Sequence, residues 1–344
     1  MKLKYLLYSI TVVTAFSACK KDKPIVPDDE PYIRPAPPAN PYEPDNSFKI
    51  IAYYSGSRTL DSIDDAKFKM ITHLNYAFLY PNNDGTLKPL EQAARFYEVV
   101  DKAKANGVKV AASLAGPEAV YATIAVNAAV RTKLISNIVD FVLQNNLDGV
   151  DMDWEYPRAN KSQDLTFALL MSELADSLHK WHKYLSAAVT PAVYSGAVRD
   201  GVTAEAISKI DFLNIMVYDG LNWDVNAPLQ HSSYAMAETS LDIWQNIKGL
   251  PKAKTVLGIP AYGKNQSNVA MFYRDLINAG ANPASDSYEI EGVAYHYNGI
   301  QLVKQKALLA KDRANGVMIW EFYQDANGPN SLIKAINDAL GRSY

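Results

Sequence analysis

From Phe48 to the end of the 344-residue chain, eight short apolar segments alternate with longer amphipathic ones. The short segments are Lys49–Tyr54, Ile71–Phe78, Val108–Leu114, Gly149–Trp154, Ser186–Thr190, Phe212–Val217, Thr255–Ile259 and Gly316–Trp320. Helical periodicity fills most of the gaps, as in Ala93–Asn106, Val130–Gln144, Leu165–Tyr184, Ala235–Ile247 and Gln301–Ala314. Near-continuous apolar strands separated by helices are covered on both faces, which is the condition for a parallel sheet. Eight such units predict an α/β fold closed into a (β/α)₈ TIM barrel, with a doubly wound open sheet as the alternative. No glycine-rich phosphate loop follows the first segment, which counts against the nucleotide-binding form of that alternative. Barrels of this kind carry their chemistry at the C-terminal strand ends. Tyr53, Ser113, Asp151, Asp153, Glu155, Tyr218, Asp219, Tyr262, Trp320 and Glu321 all fall at or near those ends.

The fourth segment is Asp148-Gly149-Val150-Asp151-Met152-Asp153-Trp154-Glu155. Side chains alternate along a strand, so Asp151, Asp153 and Glu155 share one face, and Val150, Met152 and Trp154 share the other. Asp148 has the wrong parity for the acidic row and caps the strand start. Carboxylates crowded on an inward face repel one another and are desolvated, so at least one holds its proton above the usual range. Glu155 is the outermost and lies nearest the mouth, where a general acid must be. Salt bridges, for instance to Arg158, or a bound cation would also account for the row. The cost of three inward acids favours catalysis.

Residues 1–19 read as a secretion signal. Lys2 and Lys4 precede the apolar run Tyr5–Phe16, which is shorter than the roughly 20 residues of a membrane span. Phe16-Ser17-Ala18-Cys19 resembles a bacterial lipoprotein cleavage site. That implies a lipidated Cys19 anchoring the protein to a bacterial membrane, at the outer membrane or cell surface. Residues 20–47 hold eight of the 18 prolines and no apolar period, so they read as a disordered, extended tether. Residues 48–344 remain as one catalytic domain. A net charge of −3 offers no attraction for nucleic acid, and the lone cysteine excludes an intrachain disulfide. His179 and His182, three apart on a predicted helix, share a face but lack neighbours to complete a metal site.

Asp148-x-x-Asp151-x-Asp153-x-Glu155 resembles the D-x-x-D-x-D-x-E signature of glycoside hydrolase family 18, the chitinases and related endo-β-N-acetylglucosaminidases. Trp154-Glu155-Tyr156-Pro157 is similar to the chitinase branch. Asn75-Tyr76-Ala77-Phe78, Met216-Val217-Tyr218-Asp219, Gly258-Ile259-Pro260-Ala261-Tyr262-Gly263 and Gly316-Val317-Met318-Ile319-Trp320 resemble the family's second, sixth, seventh and eighth strands. Ser113-Leu114-Ala115-Gly116 departs from the usual S-x-G-G. The stretch Lys264–Asn315 is too short for the full extra α+β domain of many exo-acting members, and a shallower groove favours internal cleavage.

The resemblance implies retaining, substrate-assisted hydrolysis of β-1,4 bonds beside N-acetylglucosamine in chitin or chito-oligosaccharides. In that scheme Glu155 is acid and then base. Asp153 orients the 2-acetamido group, Asp151 shares a proton or hydrogen bond with Asp153, and Tyr218 donates to the acetamido carbonyl. Trp320 is the floor under the sugar, with Asp219, Tyr53, Phe78 and Trp223 as further groove residues. No cofactor or metal is implied, because the nucleophile belongs to the substrate. Two rivals remain: an endo-β-N-acetylglucosaminidase acting on N-glycans, and a non-catalytic chitin-binding lectin. Lectin-like members commonly lack the terminal Glu or an inner Asp, and this chain keeps both.

Overall fold

The structure, a computed structural model, describes residues 32–344. The expected signal segment, Cys19 and the first part of the proline-rich stretch lie outside the described residues. Eight parallel strands close a barrel in the order β1-β12-β7-β6-β5-β4-β3-β2. They are β1 (Lys49–Ser55), β2 (His73–Leu79), β3 (Lys109–Ala115), β4 (Gly149–Asp153), β5 (Tyr184–Val189), β6 (Phe212–Ile215), β7 (Thr255–Pro260) and β12 (Gly316–Trp320). Alternation divides each strand between two cores. Ile51, Ala111, Phe212, Val256 and Met318 fill the barrel, whereas Ile50, Leu74, Val110, Val150 and Met152 pack outward under the helices. Trp154 shares the outward side of β4, stacked on Tyr121 at 5.4 Å and edge-on to Phe167 at 5.8 Å.

Several boundaries shift from the sequence reading, and two of them change what neighbouring residues do. The helix expected through Tyr184 ends at His179, and His182 takes a left-handed conformation (φ 55°) in the turn into β5. His179 and His182 therefore do not share a helical face. His179 Nε2 meets Asp211 at 3.0 Å, and His182 Nε2 meets the Asn40 carbonyl at 2.8 Å. The sixth strand stops at Ile215 rather than Val217, because Val217 N–H bonds the Ile215 carbonyl and turns the chain out of the sheet.

The segment after β7 carries a reduced α+β insertion. Strands β8 (Tyr262–Asn265), β9 (Ala270–Phe272), β10 (Ser287–Ile290) and β11 (Val293–His296) form an antiparallel sheet in the order β10-β11-β8-β9, with one short helix, Tyr273–Asn278.

Residues 33–47 have no regular secondary structure, but they lie against the N-terminal end of the barrel as a strap. Arg34 pairs with Asp140 at 2.6 Å, Trp181 Nε1 donates to the Pro35 carbonyl at 3.2 Å, and the Tyr42 ring stacks on His179 at 4.1 Å. A proline-rich stretch is already extended, so it loses little entropy on docking. Among the described residues no helix is long and apolar enough to cross a membrane.

Candidate active site

The inward residues of β4 form a gradient of exposure. Asp151 is 0% exposed, Asp153 is 7% exposed, and Glu155, just beyond the strand, is open to solvent. A carboxylate as deep as Asp151 needs its lone pairs filled. Its Oδ2 accepts from the Tyr53 hydroxyl at 2.6 Å and the Ser113 hydroxyl at 2.8 Å. Its Oδ1 accepts from the Ser186 hydroxyl at 2.6 Å and Asn214 Nδ2 at 3.0 Å. Register produces this cage, because Ser113 on β3 and Ser186 on β5 are the cross-strand partners of Asp151. Burial pushes the Asp151 pKa upward, and the four hydrogen bonds oppose it.

Both Asp151 oxygens are thus occupied by hydroxyl and amide donors. Burial, then the charges of Glu155 and Asp151, hold the Asp153 pKa well above the ordinary carboxylate range. Its Oδ1 is a buried oxygen without a hydrogen-bond partner. The two alternative readings of the row find no support. Arg158 turns to Glu118 at 3.8 Å, and hydroxyl and amide donors around Asp151 are the wrong chemistry for a cation. Among the described residues no group of three or more His, Cys, Asp or Glu is placed to hold a metal.

Tyr218 follows β6 and is 9% exposed. Burial and the charges of Asp153 and Glu155 raise its pKa far above the usual value, so its hydroxyl stays a donor. Asp219 beside it is left-handed (φ 62°) and accepts from the Tyr262 hydroxyl at 2.7 Å, with Lys264 Nζ at 2.6 Å. Burial pushes its pKa upward, but hydrogen bonds from His231, Lys264 and Tyr262 outweigh that and hold it below the carboxylate range. Trp320 closes the opposite side, stacked on Phe78 at 5.7 Å and tilted against Tyr53 at 5.5 Å.

These groups bound a cavity of about 300 Å³, lined by Tyr53, Phe78, Asp153, Glu155, Tyr218, Asp219 and Trp320 together with Tyr156, Ala188, Pro191, Met216 and Tyr262. Trp223 is the expected groove residue that does not line it. Its ring packs against the core between barrel and helices. Ser186, Asn214, Tyr156 and Met216 are the residues that sequence reasoning missed. The signal for Ser186 and Asn214 is a polar residue at an inward position of an otherwise apolar strand. The arrangement sets a buried carboxyl and an exposed one beside a phenolic donor and an aromatic floor, which suits acid–base chemistry on a ring with one apolar face.

Residues 49–325 match the sequence profile described as Glycosyl hydrolases family 18. An endochitinase of Brugia malayi is 30% identical, over 79% of this chain and 67% of that protein. A probable chitinase 10 of Drosophila melanogaster is 28% identical over 67% of this chain, which spans only 12% of that much longer protein. The solved family 18 chitinase ChiB from the chitin utilization locus of Flavobacterium johnsoniae superposes with a TM-score of 0.71 at 29% identity, covering 85% of this chain and 94% of that one.

Proposed function

The chain belongs to glycosyl hydrolases family 18 and is a glycoside hydrolase, and from that premise we propose that it cleaves β-1,4 bonds beside N-acetylglucosamine in chitin or chito-oligosaccharides, with retention of configuration. The observation that carries this reading is that Asp153, Glu155, Tyr218 and Trp320 line one cavity at the barrel mouth. Glu155, exposed at the mouth, gives its proton to the glycosidic oxygen as the bond to the anomeric carbon breaks. The substrate's acetamido oxygen attacks that carbon and closes an oxazolinium ring. Tyr218 donates to the acetamido oxygen and holds it in line. Asp153 lies beside the acetamido nitrogen and offsets the positive charge that develops there. Its unpartnered Oδ1 is suited to that contact. Water then opens the ring, and Glu155 takes the proton back. Asp151, fixed by four neutral donors, is held in place behind Asp153. Cys19, outside the described residues, is proposed as a lipid anchor to a bacterial membrane. Labelling with a radioactive fatty acid that persists in Cys19→Ala removes that proposal.

Product analysis tests the activity. The protein from residue 20 onward is incubated separately with chito-oligosaccharides and with a high-mannose glycopeptide, beside a Glu155→Gln control. Cleavage of the oligosaccharides alone is the expected result. Cleavage of the glycopeptide alone reassigns the substrate to N-glycans with the same residues at work. Binding without cleavage of either substrate overturns the hydrolytic reading in favour of a lectin.

A further inference from the structure

Lys306, on the helix Ile300–Arg313, is 0% exposed and has no carboxylate against it. Its ammonium donates to the Ser232 carbonyl at 2.6 Å, the Ser232 hydroxyl at 2.7 Å and Asn298 Oδ1 at 2.6 Å. Three donors meet three neutral acceptors, so the hydrogen bonding is complete, while the charge of Asp286 acts on the ammonium without a direct ion pair. Burial accordingly pushes its pKa down to about 7. A buried charge of this kind adds little to stability compared with an apolar side chain of the same size. Its presence calls for another explanation, and its neighbours supply one.

Ser232 is the centre of a clasp. Its hydroxyl donates to the Val217 carbonyl, and its own carbonyl also accepts from Asn298 Nδ2 at 3.0 Å. The adjoining His231 carbonyl accepts from Gly220 N–H at 2.9 Å. The clasp thus grips both ends of Val217–Gly220. That stretch follows an unusually tight path. Val217 N–H bonds Ile215 O at 2.9 Å, Tyr218 N–H bonds Met216 O at 2.8 Å, and Asp219 then turns left-handed at φ 62°. Successive three-residue turns and a left-handed Asp need support from their surroundings. Tyr218 and Asp219 reach the cavity from this turn.

We infer that Lys306 is a positioning residue for Tyr218 and Asp219: through Ser232 it fixes the backbone turn after β6 that carries both side chains into the cavity. The kinetic arm of its test rests on the proposed hydrolase reading, and the structural arm does not. Full-length Lys306→Met keeps its fold, and the amides of Val217–Gly220 exchange at least ~10-fold faster while those of β1 to β5 are unchanged. On chito-oligosaccharides its kcat falls roughly 10-fold with KM unchanged, since a slightly misaimed donor costs turnover rather than binding. Adding Lys306→Met to Tyr218→Phe costs little more than Tyr218→Phe alone, because both act through one contact. Unchanged exchange at Val217–Gly220 overturns the inference, and so do kinetic losses that multiply in the double variant. Should Lys306→Met fail to fold, Ser232→Ala breaks the same link and is read by the same outcomes. If the unsubstituted protein cuts no chito-oligosaccharide, the proposed function falls and amide exchange alone decides the role of Lys306.

Discussion

At the N-terminal end of the barrel, the charges of Lys49 and Lys109 are met by the strap. Lys49 Nζ donates to the Asp45 and Ser47 carbonyls at 2.8 and 3.0 Å, and Lys109 pairs with Asp45 at 2.6 Å. At the C-terminal end, Asp153 Oδ1 has no partner and Glu155 faces solvent. The same strands supply both ends. The chain answers its own charges at the base and leaves the mouth for a ligand to complete, which separates stability from chemistry along one axis.

The sharpest test of that separation is at the mouth. Glu155→Gln is expected to lower kcat by ~10³-fold or more without loss of oligosaccharide binding, measured by turnover and calorimetry. Tyr218→Phe removes one donor and should cost about 100-fold in kcat. A melting temperature far below that of the unsubstituted protein would make Tyr218 a structural group instead. Removing residues 33–47 addresses the base. It should lower the melting temperature by roughly 3 °C, as for a loss of about 2 kcal/mol in a domain of this size, and leave kcat unchanged. A fall in kcat would break the separation.

The smallest effects have opposite signs at the two ends. The Asp153 pKa is raised in the folded state, so the fold holds a proton that the unfolded chain releases above about pH 4. Stability is lost there as pH rises towards the folded pKa, and Asp153→Asn should melt higher than the parent at pH 7 but not at pH 3.5. At the base, burial and then Lys109 and Lys49 push the His73 pKa down to about 3. The unfolded chain gains a proton below about pH 6.5 that the fold refuses, so stability is lost as pH falls. His73 sits edge-on to Tyr184 and Phe212, and His73→Phe preserves that packing. It should gain a few degrees over the parent at pH 5 and nothing at pH 8, by calorimetry. Equal shifts at both pH values would show that packing, not proton linkage, sets its effect.

The barrel and the acidic row were legible because both are local patterns: eight apolar runs, and one alternation from Asp151 to Glu155. The cage around Asp151 was not, since Ser186 and Asn214 acquire their role only when register sets them beside it. Trp223 falls outside the cavity lining because loop geometry, not periodicity, decides where its ring goes. The docking of residues 33–47 was hidden for a related reason. Proline content reports that a stretch is extended, and only the histidines and Trp181 at the base of the barrel reveal what it lies on.

That docking also sets how the barrel bears a load. A pull applied ahead of Ile33 meets the Arg34–Asp140 pair, the Trp181 contact and the Tyr42–His179 stack before it reaches β1. The stress is taken up at the end of the barrel remote from Glu155. The strands that aim the acid are thereby spared the bending such a pull would cause.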